Sequence, residues 1–201
     1  MKPAHYFAAC IKGLEPALSG EWSAIAKAYD GRAYHNFNHL EEMLGHLPCL
    51  LPSPAPAAEP VFGIALIYHD IVYRAGRKDN EARSAVKAVA FLQKAGVSEA
   101  GQSRCHQLIM TTKTHAATTE EEALLVDLDL AVLARDPAGY DEYTRAIRKE
   151  FGMFPDFVYR PGRKKALRHF LEKPYIYHGA IARGQWEDAA RSNLERELGQ
   201  L

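Results

Sequence analysis

The sequence predicts an all-α protein, and three observations carry that prediction. Apolar residues recur at spacings of three and four almost throughout, no stretch alternates strictly between apolar and polar residues, and helix start and stop signals flank the apolar stripes. A chain of 201 residues fits one domain at roughly 100–200 residues per domain, so a single domain spanning 1–201 is expected.

Pro16 suits a first helical position, and Leu18, Trp22, Ile25 and Tyr29 then follow at i, i+4, i+7 and i+11 before Asp30-Gly31 stops the helix. After Asn36-Phe37-Asn38, the residues Leu40, Met43, Leu44 and Leu47 form a second stripe. Pro48, Pro52, Pro54, Pro56 and Pro60 predict a stiff extended connection. It reads as a surface loop inside the domain, because neither flank is large enough to fold well alone. Residues 61–73 are nearly all apolar around His69-Asp70, which predicts a helix crossing the core. Further helices are expected over 80–95, closed by Gly96, and over 99–114.

Thr119-Glu120-Glu121-Glu122 is a capping box opening a segment, 123–134, that is apolar on every face except at Asp127 and Asp129. Asp136-Pro137 starts a helix with Tyr140, Tyr143, Ile147 and Phe151 inward, and Gly152 ends it. Shorter helices near 162–172 and 185–198 complete the chain.

The charge balance, 25 basic against 25 acidic residues, supplies no long-range field. It therefore argues against non-specific nucleic-acid binding and against a membrane partner. No signal-like or membrane-spanning apolar run is present, so the expected location is cytoplasmic. Three cysteines, Cys10, Cys49 and Cys105, are odd in number and lack a Cys-x-x-Cys spacing, which argues for buried or half-buried free thiols. A homodimer is left open.

The chemistry lies in four segments: Tyr34-His35-Asn36-Phe37-Asn38-His39, His69-Asp70, Thr111 to His115, and Asp127-Leu128-Asp129. Acids inside apolar helices need a partner, because an isolated ion in a low-dielectric interior costs several kcal/mol even after relaxation. Neutral His and ionised Asp without thiolates suit a divalent cation: Mn, Fe, Co, Ni or Mg, or zinc with water.

These segments resemble the HD superfamily of metal-dependent phosphohydrolases, in which a His, a His-Asp dipeptide and a distant Asp surround one metal. The resemblance implies a helical bundle with a central metal site, with His39, His69, Asp70 and Asp129 as ligands. Asp127 is kept as an alternative to Asp129. Tyr34-His35-Asn36-x-x-His39 is similar to the motif of cyclic-nucleotide phosphodiesterases, which implies His35 as proton donor beside the ligand His39. Asp79-Asn80-Glu81, Tyr140-x-x-Tyr143, Arg148, Gly162-Arg163 and Arg191-Ser192-Asn193 look like a small bacterial branch of predicted HD phosphohydrolases.

The implied activity is hydrolysis of a phosphomonoester or phosphodiester, on a nucleotide or similar small phosphorylated molecule, by metal-activated water with one or two ions. Asp70 or Asp129 would orient that water, and Asp70 would bridge the ions if there are two. Glu81 is the expected partner of His35. Lys113, His115, Arg148 and Arg163 are the candidates for meeting phosphate charge. His115 can equally face a second metal or cap a helix. Tyr140, Tyr143 and Tyr159 offer stacking surfaces or core packing. His5, His46, His106, His169 and His178 lack a matching context and are expected at the surface or an interface. A di-iron oxygenase on the same scaffold and a non-catalytic metal-stabilised sensor or interaction module are the alternatives.

Overall fold

The computed structural model describes residues 1–12, 14, 20–51 and 60–201. Among them the structure is helical, without a strand. Its helices are α1 (Pro3–Cys10), α2 (Glu21–Tyr29), α3 (Phe37–Leu50), α4 (Pro60–Tyr68), α5 (Asn80–Lys94), α6 (Glu99–Thr114), α7 (Glu120–Asp129), α8 (Pro137–Glu150), α9 (Asp156–Leu171) and α10 (Ala180–Gln200). A short 3₁₀ segment, Leu130–Ala134, continues α7. The expected starts at Pro16 and Leu18, and the prolines 52, 54 and 56, lie outside the described residues.

The capping residues explain several boundaries. Asn36 caps α3 by accepting from the Asn38 amide at 2.8 Å. Thr119 and Glu122 close the expected capping box on α7. Asp136 accepts from the Gly139 amide at 2.7 Å, with Pro137 in the first turn of α8.

Several boundaries differ from the sequence reading, and α10, expected as a shorter helix near 185–198, runs over 21 residues from Ala180. Helix α1 was not expected; it is two turns long, and Tyr6, Phe7 and Cys10 bury it against the core. Pro48 lies inside α3 rather than in the loop, near the end of the helix, where the lost backbone donor disturbs little. Helix α4 ends at Tyr68, so His69-Asp70 sits in a turn beyond it and not within a helix reaching 73. Helix α9 starts at Asp156, six residues before 162, and runs through Pro161.

Two apolar clusters form the interior. One joins α1 to α6 and includes Leu125 and Leu128 of α7; the other joins α8, α9 and α10 to Val126, Leu130 and Val132. Helix α7 thus buries opposite sides in the two clusters, which is why its sequence is apolar all round. Helix α4 is likewise buried at every residue from Val61 to Tyr68. It meets α1 closely at Gly63, where an added Cβ would lie 2.1 Å from Cys10 Sγ. Cys10 and Cys105 are buried thiols as expected, whereas Cys49 is exposed. No described helix is long and apolar enough to cross a membrane.

Candidate metal centre

His39 enters from the start of α3, His69 and Asp70 from the turn after α4, and Asp129 from the last residue of α7. One ligand atom from each lies within 4.8 Å of all the others. Both imidazoles are buried, and the two carboxylates are nearly so.

The ring orientations are fixed from behind. His69 Nδ1 lies 2.8 Å from the Leu66 carbonyl and donates there, so in the neutral ring the lone pair is on Nε2. That Nε2 is buried without a hydrogen-bond partner. It stands 3.1 Å from Asp70 Oδ2 and 3.6 Å from Asp129 Oδ1, close enough for charge attraction but without hydrogen-bond alignment. His39 Nδ1 meets the Tyr34 hydroxyl at 3.1 Å, and its Nε2 lies 3.1 Å from Asp129 Oδ1. A buried aromatic nitrogen aimed at two carboxylates and unpartnered is the signature expected of a cation site, and the two-nitrogen, two-oxygen donor set suits a divalent ion. The group can therefore hold a metal.

The electrostatics call for positive charge at this point: burial acts to lower the His69 imidazole, but Asp70 and Asp129 hold it well above its ordinary value. Burial alone would raise the Asp70 carboxyl, but His69 and His35 beside it hold it at about 2. Burial likewise acts upward on Asp129, and contacts from His115, His39 and His69 hold it well below the usual carboxylate range. Both acids are thus ionised at neutral pH, as ligands must be.

Asp127, the alternative to Asp129, lies outside this group. Its two oxygens accept from the backbone amides of His178 and Gly179 at 2.8 and 2.7 Å, which ties α7 to the start of α10. Burial raises its carboxyl, and those two amides act against the rise.

His35 borders the cluster. Its Nε2 is 4.0 Å from Asp70 Oδ2, its ring stacks on Tyr73 at 3.8 Å, and its Nδ1 lies 2.6 Å from Glu150 Oε2. The carboxylate holding His35 is therefore Glu150, at the end of α8, and not Glu81, which sits in the first turn of α5. The reason is topological: α8 returns to this site across 115 residues of sequence. Arg32 braces the same corner by donating to the carbonyls of His35, Asp70 and Ile71 at 3.2, 2.5 and 3.0 Å.

Of the four phosphate-binding candidates, His115 reaches the cluster. Its Nε2 is 3.8 Å from Asp129 Oδ2. It caps α6 in the left-handed region, with φ 51°, and Lys173 Nζ and His178 Nε2 both contact its carbonyl. His178 is accordingly half-buried beside the site, where the sequence offered no context. Its ring reaches a backbone carbonyl that no sequence pattern marks.

The other three candidates are engaged elsewhere. Lys113 donates to the Lys78 carbonyl at 2.9 Å, joining α6 to the loop before α5. Arg148 binds Asp156 and the carbonyls of Phe151 and Phe154, fastening α8 to α9. Arg163 forms a two-pronged pair with Glu197 at 2.7 and 2.9 Å. A guanidinium satisfied by a carboxylate has little left for a ligand. Tyr140 and Tyr143 are core residues, Tyr140 donating to Glu197 at 2.5 Å, and Tyr159 is half-buried against Phe151. His46 packs on Trp186, while His5, His106 and His169 are exposed.

Comparison of the chain with protein-family models, with curated proteins and with solved structures gives no match. The reading of the site rests on its own geometry.

Proposed function

We propose that this chain is a metal-dependent phosphohydrolase of the HD type, acting on a small phosphorylated molecule such as a nucleotide. The observation that carries the reading is the orphaned Nε2 of His69, buried among His39, Asp70 and Asp129 with their ligand atoms in mutual reach. That set would hold one divalent cation, drawn from Mn, Fe, Co, Ni, Mg and Zn. When bound, such an ion would polarise a phosphoryl oxygen and bring the ionisation of a water molecule toward neutral pH.

The chain's own residues supply the rest. His35 is the proposed proton donor: Glu150 fixes its Nδ1 side, Tyr73 fixes its plane, and Nε2 is left facing Asp70 and the cluster. In the protonated ring that Nε2–H would pass to the leaving oxygen as the P–O bond breaks, and the neutral ring would regain a proton from solvent. His115, on the opposite flank at Asp129, is positioned to meet a phosphate oxygen. Lys113, Arg148 and Arg163 are not carried into this proposal, because their donors are already occupied.

The test is elemental analysis of the purified protein, followed by phosphate release from a panel of phosphate esters with Mn, comparing wild type and Asp70→Ala. Metal in wild type together with a loss of turnover in the variant supports the reading. Equal slow release from both overturns it. Two irons per chain with dioxygen uptake would replace it with the oxygenase, and stoichiometric metal without turnover would replace it with the sensor module.

A further inference from the structure

Helix α9 is weakly held by packing. Of its sixteen residues only Leu167 is buried, and Pro161 removes a backbone donor from its interior. It also concentrates charge: Arg160, Arg163, Lys164, Lys165 and Arg168 stand on it against one acid, Asp156. The chain as a whole balances 25 basic with 25 acidic residues, so this is segregation and not overall excess.

Arg163 turns inward to Glu197. Arg160, Lys165 and Arg168 are exposed and Lys164 is half-buried. Arg160 has Asp156 at 3.8 Å, whereas Lys164, Lys165 and Arg168 have no salt-bridge partner among the described residues. Like charges one turn apart repel and weaken the helix that carries them. Phe157, Arg160, Lys164, Lys165 and Arg168 follow i, i+3, i+7, i+8 and i+11, which places them on one face over about 16 Å of helix. Phe157 is 80% exposed, far beyond what an aromatic ring gains from folding alone.

We propose that this face of α9 docks single-stranded nucleic acid, with phosphates on Arg160, Lys164, Lys165 and Arg168 and a base stacked on Phe157. Cations one turn apart rise by about 5–6 Å, which lets successive phosphates of an extended strand each meet one. Beside the stripe, a recess of about 320 Å³ is lined by Arg145, Arg148, Tyr159 and Arg160 together with Asp156 and Glu197, whose carboxylates are already paired with Arg148 and Arg163, and it has room for a neighbouring nucleotide. A lipid surface fits less well. A helix lying in a membrane interface needs a free apolar side next to its cations. In α9 the side carrying Leu167 is turned onto the protein, and the exposed apolar residues, Phe157 and Val158, stand at one end. The even charge of the chain removes long-range steering but leaves these short-range contacts intact. The proposal is independent of the His/Asp cluster.

The test is fluorescence anisotropy of the full chain with a short labelled oligo(U) or oligo(dT), the strand being checked intact afterwards. Binding should weaken with salt with a log–log slope of about −2 to −3, as three or four phosphate contacts require. The triple variant Lys164→Glu, Lys165→Glu, Arg168→Glu should lower affinity by at least about tenfold. Phe157→Ala should lower it about fivefold while leaving the salt slope unchanged. Circular dichroism of each variant checks the fold, and Lys165→Gln with Arg168→Gln gives a milder pair should charge reversal unfold the helix. Absence of binding to wild type, equal binding by folded variants, or preferential binding to phosphatidylserine vesicles overturns the proposal.

Discussion

Glu150 holds Tyr34 and His35 at three points: Oε2 lies 2.6 Å from the His35 ring Nδ1, and Oε1 accepts from the backbone amides of Tyr34 and His35 at 2.8 and 3.0 Å. Ring and chain are fixed together by one carboxylate. Burial acts to raise that carboxyl, but its bonds with His35 and with the two amides bring it from 4.5 down to about 2.

A group depressed in the folded state stabilises the fold above its unfolded value and loses that contribution as pH falls through the folded value. Glu150 should therefore contribute about 3 kcal/mol at neutral pH, declining between about pH 4.5 and 2. Thermal melts of Glu150→Gln should show a lower Tm than wild type at pH 7 and a shrinking difference toward pH 2. A constant difference across that range would contradict the assignment. If His35 is the proton donor, the same variant should lose about 10–100-fold in kcat with metal content unchanged.

Asp127 and Asp129 should separate cleanly. Asp129→Asn should lose bound metal, because it removes an anionic ligand from the cluster. Asp127→Asn should keep the metal and cost about 1–3 kcal/mol of stability, since an amide nitrogen cannot accept from both the His178 and Gly179 amides. Elemental analysis and denaturant melts of the two variants distinguish them. Metal loss in the Asp127 variant would show that the two roles are reversed.

How far the sequence could be read follows from cases of this kind. His69, Asp70, Asp127 and Asp129 were legible as polar ligand types in apolar runs, where only a partner can justify them, whereas the choice of His39, His69, Asp70 and Asp129 as a set came from the family resemblance. Asp127 and Asp129 were not separable by that argument: both interrupt the same apolar helix. What divides them is that one side of α7 meets the start of α10 and the other meets α3 and the turn after α4. Glu150 was illegible for a different reason. In the last turn of an amphipathic helix a glutamate reads as solvated, and only the return of α8 past residue 34 gives it a partner. Helix α1 was too short to announce itself by periodicity. The caps at Thr119 and Asp136 were legible because capping is local.

Metal should stabilise the fold as well as enable chemistry. A ligand that binds the folded state alone adds about 2.7 kcal/mol at a concentration one hundred times its Kd. Adding Mn or Zn to chelator-treated protein should therefore raise Tm by several degrees, and His69→Ala should abolish the rise. An unchanged Tm across a metal titration of wild type would remove the cluster as a cation site.

Gly63 tests the packing that positions the His69-Asp70 turn. Its missing side chain is where Cys10 Sγ sits, and a methyl group there would lie 2.1 Å from the sulfur. Helix α4 is buried at every residue from Val61 to Tyr68, so relief would require α1 to shift outward and loosen the packing of Tyr6, Phe7 and Cys10. Gly63→Ala should destabilise the protein by about 1–3 kcal/mol, as overpacking in a filled core does. Pairing it with Cys10→Ala should restore part of the loss in denaturant melts; strict additivity of the two costs would mean that the contact does not limit the approach of the helices.

Arg163 decides between a ligand role and a structural one. Its guanidinium donates to both oxygens of Glu197, which also accepts from the Tyr140 hydroxyl at 2.5 Å. The pair is largely buried, with side-chain exposures of 12% and 9%. Removing Arg163 alone leaves a buried carboxylate with one neutral donor, and breaking such a pair typically costs about 3–5 kcal/mol. Replacing both partners with apolar residues of similar volume should cost much less, because no charge is then stranded. Arg163→Met should therefore melt well below wild type, and adding Glu197→Leu should recover much of the loss. Neither change should alter metal content or, at a temperature where both are folded, the KM for a phosphate ester. A rise in KM of tenfold or more in the recovered double variant would return Arg163 to the substrate, since the stability term would already have been removed.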